Sequence, residues 1–124
     1  MPSHRVNNVV NITIEEDTTA KKVTINLDND PIHLSGLGAN SNLITWNLTD
    51  KNNTGWAFSS AGGINIKNPG SMFTSTQHGD TMHKWTRAGA GDFAQYGYTI
   101  SLTKTANGVQ VQTIVLDPTI VNEP

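Results

Sequence analysis

The most constraining part of the sequence is the segment 96–116, in which apolar and polar residues alternate. Its apolar set begins with Tyr96, Tyr98, Ile100 and Leu102. A period of two, rich in aromatic and β-branched residues, predicts a strand with one buried face. Asn107 and Gly108 tolerate positive φ and predict a tight turn before a second strand, 109–116. We therefore expect a hairpin here, against which the earlier parts of the chain pack.

Shorter alternating runs fill most of the chain before this hairpin. Apolar residues alternate with Asn or Thr over 10–14 and 23–27, and the charged turn between these runs predicts another hairpin. The run 43–49 carries Trp46 and predicts a central strand. Further short runs lie at 32–34, 56–58, 64–66 and 72–73, with turn residues between them. The 3.6-residue period of an amphipathic helix is found in no window, so we expect no helix.

We expect seven or eight short strands from these runs, in a chain of 124 residues, a length typical of one domain with a single core. The pattern predicts an all-β, single-domain antiparallel β-sandwich over residues 1–124. An immunoglobulin-like or related Greek-key strand order is preferred. A jelly roll or a small barrel is the alternative.

Composition excludes several classes of function. A net charge of -2 gives no electrostatic reason for a nucleic acid or an anionic membrane as partner. The absence of cysteine excludes disulfides, thiolate nucleophiles, thiolate metal sites and blue copper. The N-terminal region is polar, and no apolar run reaches the length of a signal peptide or a membrane span. We expect a soluble protein, cytoplasmic or secreted after removal of a leader.

The segment 74–92 shows no strong alternation and is predicted to be a long loop. The alternative is that it conceals one more strand, over 81–87. A loop of this length in a compact domain is often functional, because a rigid sheet can hold binding residues on it. This segment is therefore the predicted binding region.

Trp85 is the leading candidate for contact with a ligand, since its polar neighbours Lys84, Thr86 and Arg87 suggest partial exposure. Aromatic rings with a few polar groups are common at binding surfaces, and they could stack on sugar rings. The predicted ligand-binding residues are Asp80, His83, Trp85, Arg87 and Tyr98. The alternative for the tryptophans is a place in the core, which we expect for Trp46 and Trp56.

Histidine is a common metal ligand, and His78 and His83 lie close together in the sequence. With His33 from elsewhere in the chain, they could bind zinc, iron or copper. The alternative is that these histidines are solvated. A metal ion is the only cofactor that the residues suggest.

Ser75, Asp80 and either His78 or His83 could be drawn as a catalytic triad, but Ser75 lies in no nucleophile-elbow pattern. We therefore assign no catalytic residue and do not expect an enzyme. The first hypothesis is a non-enzymatic recognition or assembly module that contacts a carbohydrate or a protein through 74–92. The second is a metal-binding protein or metalloenzyme that uses the three histidines. The third is a structural homo-oligomer whose subunits meet along 109–116, an exposed sheet edge.

Overall fold

A computed structural model describes residues 8–34, 42–60, 62–88, 92 and 94–122. Eleven β-strands lie within these ranges. In chain order they are β1 Val9–Asp17, β2 Lys22–Leu27, β3 Ile32–Leu34, β4 Leu43–Asp50, β5 Trp56–Phe58, β6 Ile64–Ile66, β7 Phe73–His78, β8 Met82–Arg87, β9 Gln95–Ala106, β10 Val109–Leu116 and β11 Thr119–Asn122. In the part of the chain so described, no helix is long and apolar enough to cross a membrane.

The strands form two sheets that pack against each other, so the predicted all-β sandwich is confirmed. The first sheet has the order β2-β1-β4-β8-β7. The second has the order β10-β9-β11-β3, and β5 and β6 also pair with β9. The immunoglobulin-like strand order stays a prediction.

The prediction that the sandwich is antiparallel throughout is wrong. Strand β1 runs parallel to β4, and β11 runs parallel to β3. The first parallel pair arises because the chain passes through the second sheet at β3 before it returns beside β1. The number of strands also exceeds the prediction, because most of β7 and all of β8 lie within 74–92 and because β11 follows the predicted hairpin.

The core lies between the sheets, where alternate residues of each strand point inward. In β4, for example, Ile44, Trp46 and Leu48 are buried while the residues between them are half-buried. Trp46 Nε1 donates to Tyr98 Oη across the two sheets at 3.2 Å. Tyr98 is completely buried, and this burial raises the pKa of its hydroxyl group. Tyr98, a predicted ligand-binding residue, therefore belongs to the core and not to the surface.

The predicted hairpin at the end of the chain is confirmed as β9 and β10. Asn107 and Gly108 have φ values of 55° and 76°, as a tight turn between twisted strands requires. The register shifts between Gln110 and Gln112, which marks a β-bulge in β10. Strand β9 is the central strand of the second sheet, because β5, β6, β10 and β11 all pair with it.

The prediction of a long loop over 74–92 is wrong, and the alternative of a hidden strand over 81–87 is closer to the structure. Strands β7 and β8 form an antiparallel hairpin in which His78 lies opposite His83. The alternation was not recognised because the inward positions of β8 are His83, Trp85 and Arg87 and not aliphatic residues. Most of β7 is polar and exposed, as suits a strand at the edge of a sheet.

No strand is predicted after residue 116, but the C-terminal segment contains one. Strand β11 pairs antiparallel with β9 and parallel with β3. Ile120 and Asn122 of β11 are completely buried. Two alternating buried positions are too few for the sequence pattern to reveal such a strand.

Candidate functional site

A small open pocket lies where the β7–β8 turn meets β5 of the opposite sheet. Its volume is about 220 Å³. It is lined by Phe58, Ser59, Ser60, His78, Gly79, Asp80 and His83. The backbone N–H of Phe58 donates to the carbonyl of Asp80 at 2.8 Å, which fixes the turn against β5. We call this feature the turn pocket.

His83 forms the buried wall of the turn pocket. The residue is only 3% exposed, and its ring meets the Phe58 ring edge-on at a centroid distance of 4.7 Å. Its Nδ1 atom is buried and has no hydrogen-bond partner among the described residues. Burial lowers the pKa of His83, the nearby charge of His78 lowers it further, and a hydrogen bond with the Gly79 backbone acts in the opposite direction. The folded protein therefore favours the neutral form of this imidazole.

Gly63 packs directly against this imidazole. A Cβ atom at this position would lie 2.8 Å from His83 Nε2, 2.9 Å from Phe58 Cβ and 3.0 Å from the Ser59 carbonyl oxygen. Real Cβ atoms do not approach other atoms so closely. The absence of a side chain at Gly63 therefore leaves the space that the His83 ring occupies.

His78 stands on the rim of the turn pocket, exposed to solvent. Its ring is perpendicular to that of His83, at a centroid distance of 5.4 Å. Ser75 Oγ lies 3.0 Å from His78 Nε2, so the rim imidazole has a hydrogen-bond partner within its own strand. The pocket thus combines one partnered, exposed imidazole with one buried imidazole whose Nδ1 is unpartnered.

The rest of the rim is polar. Asp80 is exposed at the turn, while the Ser59 hydroxyl lies 2.7 Å from Ser101 Oγ and 2.5 Å from Thr103 Oγ1. A second shallow depression of about 350 Å³ continues from the turn pocket over the outer face of the second sheet. It shares Phe58, Ser60 and Asp80 with the turn pocket and adds Gly55, Ala57, Thr103, Thr105 and Gln110. The surface around Asp80 is therefore rich in hydroxyl, amide and carboxylate groups.

Of the three predicted metal ligands, the structure brings only two together. His78 and His83 are adjacent, whereas His33 is exposed on β3, in the second sheet. Across the described ranges, no group of three or more His, Cys, Asp or Glu residues could hold a metal ion.

The prediction that Trp85 is partly exposed is wrong. It is 7% exposed, because it points inward from β8 while its polar neighbours Lys84 and Thr86 lie on the opposite face of the strand. Trp46 and Trp56 are also buried, as expected. Since all three tryptophans of the chain are internal, the predicted stacking platform for sugar rings is not formed by tryptophan.

Arg87, another predicted binding residue, lies in the interior at the far end of β8. It is 2% exposed, and burial lowers its pKa. Its Nε donates to Asn42 Oδ1 at 3.0 Å, and its Nη1 donates to Asn122 Oδ1 at 2.9 Å. Asn122 in turn donates to Asp92 Oδ1 at 3.0 Å. Arg87 therefore links the end of β8 to Asn42, just before β4, and to Asn122 of β11.

Of the predicted site residues, the structure therefore gathers Asp80, His78 and His83 in one pocket and moves Trp85, Arg87 and Tyr98 into the interior. Four further residues line the pocket or pack behind His83 and were not predicted to do so: Phe58, Ser59, Ser60 and Gly63. These four residues follow one another closely around β5, but only the packing of the second sheet on the first brings them to the turn. A serine pair after a short strand was the one signal present.

No protein-family model matches the chain, and no curated protein is significantly similar to it. The function proposed below therefore rests on the geometry of the turn pocket.

Proposed function

We propose that the protein is a non-enzymatic recognition module whose turn pocket binds a small polar group of a protein partner. One observation carries this proposal: His83 lines the pocket, is only 3% exposed, and has a buried Nδ1 atom without a hydrogen-bond partner among the described residues. Nearly all buried polar atoms in proteins are hydrogen-bonded. Leaving one unpaired costs about 1–3 kcal/mol, which a ligand that completes the hydrogen bond would recover.

The size of the pocket supports a small group. At about 220 Å³ it is smaller than the roughly 300–1,000 Å³ of pockets that enclose whole drug-sized ligands. A single side chain from a partner fits this scale. Because the tryptophans are buried, the surface offers no indole for sugar stacking, which favours a protein over a glycan.

The chemistry of the lining supports a hydroxyl or amide group. One nitrogen of the His83 ring is engaged by the Gly79 backbone, which leaves Nδ1 as the nitrogen that the ring can offer to a ligand. Asp80 adds a carboxylate acceptor on the rim, and Ser60 adds a hydroxyl. A serine, threonine, asparagine or glutamine side chain can use both kinds of partner at once.

The same geometry does not favour hydrolysis. Ser75 and His78 are in contact, but among the hydrogen bonds of the described residues none joins His78 to a carboxylate. A serine nucleophile needs a base that is oriented by a third group. We therefore keep the non-enzymatic interpretation.

The test is a titration followed by the backbone amide resonances of the protein in a two-dimensional NMR spectrum. The probes are N-acetyl-serine amide, N-acetyl-asparagine amide and methyl glucoside, each added to about 10 mM because a single polar group binds weakly. We expect saturable shifts around Gly79 and His83 with an amino-acid probe. The variant His83→Phe keeps an aromatic ring and should lose these shifts, whereas His33→Phe, on the exposed face of β3, should keep them.

Two results would contradict the proposal. The first is an absence of shifts at the turn with both amino-acid probes, and the second is an unchanged response in His83→Phe. If only methyl glucoside shifts these resonances, the partner is a glycan and not a protein.

The contact between His78 and His83 favours one second function, the binding of a metal ion by the two rings. Native mass spectrometry of the protein with added zinc, before and after a chelator, separates this function from the first. The recognition proposal predicts no retained zinc. A retained zinc ion that His83→Phe loses and His33→Phe keeps would assign the pocket to metal binding.

A further inference from the structure

The two sheets end together on one side of the sandwich, at β2 in the first sheet and β10 in the second. In the described part of the chain, β10 pairs only with β9, so its other edge has no strand beside it. Such an edge presents backbone N–H and C=O groups that can pair with another extended chain.

Strand β10 lacks the usual protection of an edge. Its eight residues include no charged residue and no proline. Three of its side chains are large, apolar and exposed: Val109 at 62%, Val111 at 55% and Val115 at 55%. Natural edge strands commonly carry lysine or proline to prevent pairing with other chains. The other outer strands of the described chain differ from β10, because β2 begins with Lys22, β7 is mostly polar, and β3, β5 and β6 have three residues each.

A groove runs beside this edge, between β10 and β2, and two depressions of about 260 Å³ each lie along it. One depression is polar, with the charged residues Glu16, Asp17 and Lys21 in its lining. The other is lined by Ile25, Leu27, Leu116 and Pro118 together with Asp30 and Asp117. Half-buried residues on this side of the sandwich pack against the core, namely Val23, Ile25, Leu27, Ile114 and Leu116. Apolar surface at this side therefore extends beyond the exposed valines, with charged residues beside it.

We propose that β10 pairs antiparallel with β10 of a second copy, so that the second sheets of two subunits form one continuous sheet. Antiparallel pairing places residues of the same face opposite one another. The open edge ends at Leu116, because β11 continues along the same side of β9 and is already paired with β3. The second copy therefore pairs within residues 109–116, which carry no charge, so no like charges meet along the paired strands.

The occupant is a second copy because the surface is self-complementary. A C₂ interface uses the same patch on both subunits, and an uncharged strand with exposed valines can face itself without cost in electrostatic repulsion. This inference is independent of the turn pocket, which is formed by the β7–β8 turn and β5.

The experiment is sedimentation velocity of the full chain from about 1 to 100 µM, a range chosen to detect a micromolar dimer. The double variant Val111→Lys/Val115→Lys puts charges on the edge, and Val9→Lys is the matched control, since Val9 is an exposed valine on an inner strand of the other sheet. We expect a dimer for the wild type and for Val9→Lys, and a monomer for the double variant. A wild type that stays monomeric over the whole range overturns the proposal, as does a double variant that dimerises like the wild type.

Hydrogen exchange locates the contact. In the wild type, amides of β10 should exchange at least several-fold more slowly at the high concentration than at the low one, and the double variant should show no such dependence. Equal exchange of β10 amides at both concentrations in a dimerising wild type would place the contact elsewhere and overturn the assignment. The variants at exposed valines are not expected to unfold the protein, because surface substitutions usually change stability little.

Discussion

Strand β8 buries a polar side chain near each end, and the two ends differ in how those side chains are partnered. His83 is 3% exposed and Arg87 is 2% exposed, and both point inward. Arg87 donates to the side-chain oxygens of Asn42 and Asn122. His83 lines an open pocket, and its buried Nδ1 atom has no partner among the described residues.

The comparison teaches that burial of a polar group does not by itself mark a binding site. Arg87 is placed by amide acceptors from two other segments of the chain, so its removal should damage the fold. His83 lines an open pocket, and its Nδ1 atom has no partner among the described residues. Its replacement by another aromatic ring should therefore weaken binding and leave the fold intact. The predictions below separate these two roles.

The largest expected effect is that of Arg87→Ala. The change removes a buried side chain and leaves two amide oxygens without their donor, so we expect the free energy of unfolding to fall by about 3 kcal/mol or more. Urea denaturation measures this loss. A loss below about 1 kcal/mol would show that Arg87 is not a structural residue of this kind.

A smaller loss is expected for Gly63→Ala. The added Cβ would lie within 3.0 Å of His83, Phe58 and the Ser59 backbone, so the pocket wall must shift, at a cost of about 1–3 kcal/mol. The side-chain resonances of His83 should move as well. Gly97→Ala is the control, because the nearest atom to its new Cβ is in the flexible side chain of Lys67, at 3.5 Å. If the two variants are equally stable, His83 is not packed against Gly63.

His83→Phe should change stability by less than about 1.5 kcal/mol, because an aromatic ring still fills the site, Nδ1 makes no hydrogen bond to a described residue, and only the hydrogen bond with the Gly79 backbone is lost. The loss of stability in His83→Phe, compared with that in Arg87→Ala, tests whether the two ends of β8 serve different roles. Urea denaturation of both variants under one set of conditions gives the comparison. Equal losses would mean that His83, like Arg87, serves the fold.

The smallest effect is a pH dependence of stability. The pKa of His83 is held below 6.5 in the folded protein, mainly by burial, so the unfolded chain takes up this proton first as the pH falls. The contribution of His83 is therefore complete above pH 6.5 and is lost as the pH falls below that value. His78 and Asp80 are the charged or titratable neighbours at the pocket.

The urea midpoint should therefore decline from neutral to mildly acidic pH in the wild type and less steeply in His83→Phe. The carboxylates of Asp50 and Asp92 do not interfere in this interval, because their pKa values are lowered from 3.8. Identical slopes in the two proteins would contradict the burial of a neutral His83.

The β9–β10 hairpin could be predicted from the sequence because its information is local. Alternation from Tyr96 onward and the Asn107-Gly108 turn act within a few neighbouring residues. The β7–β8 hairpin was predicted only in part, as the alternative of one strand over 81–87. Its inward residues include His83 and Trp85, and such residues usually indicate a surface position when their neighbours are polar. The spacing of two residues between them does indicate a strand, but the pattern is hard to recognise because these inward side chains are not aliphatic.

The turn pocket was predictable only in part for the same reason. His78, Asp80 and His83 lie within one turn, so proximity in sequence pointed to them. Ser59 and Gly63 reach the pocket through the packing of the second sheet on the first, which no local pattern encodes. The partnering of Arg87 by Asn122 likewise joins residues that are far apart in the chain.

The most direct test of the central claim follows the side-chain nitrogens of both buried residues of β8 in one NMR titration with N-acetyl-serine amide and N-acetyl-asparagine amide. The account predicts that the Nδ1 resonance of His83 shifts saturably with at least one probe while the Nε resonance of Arg87 stays constant. A His83 ring that does not respond to either probe, or an Arg87 resonance that shifts as much as His83, would contradict it.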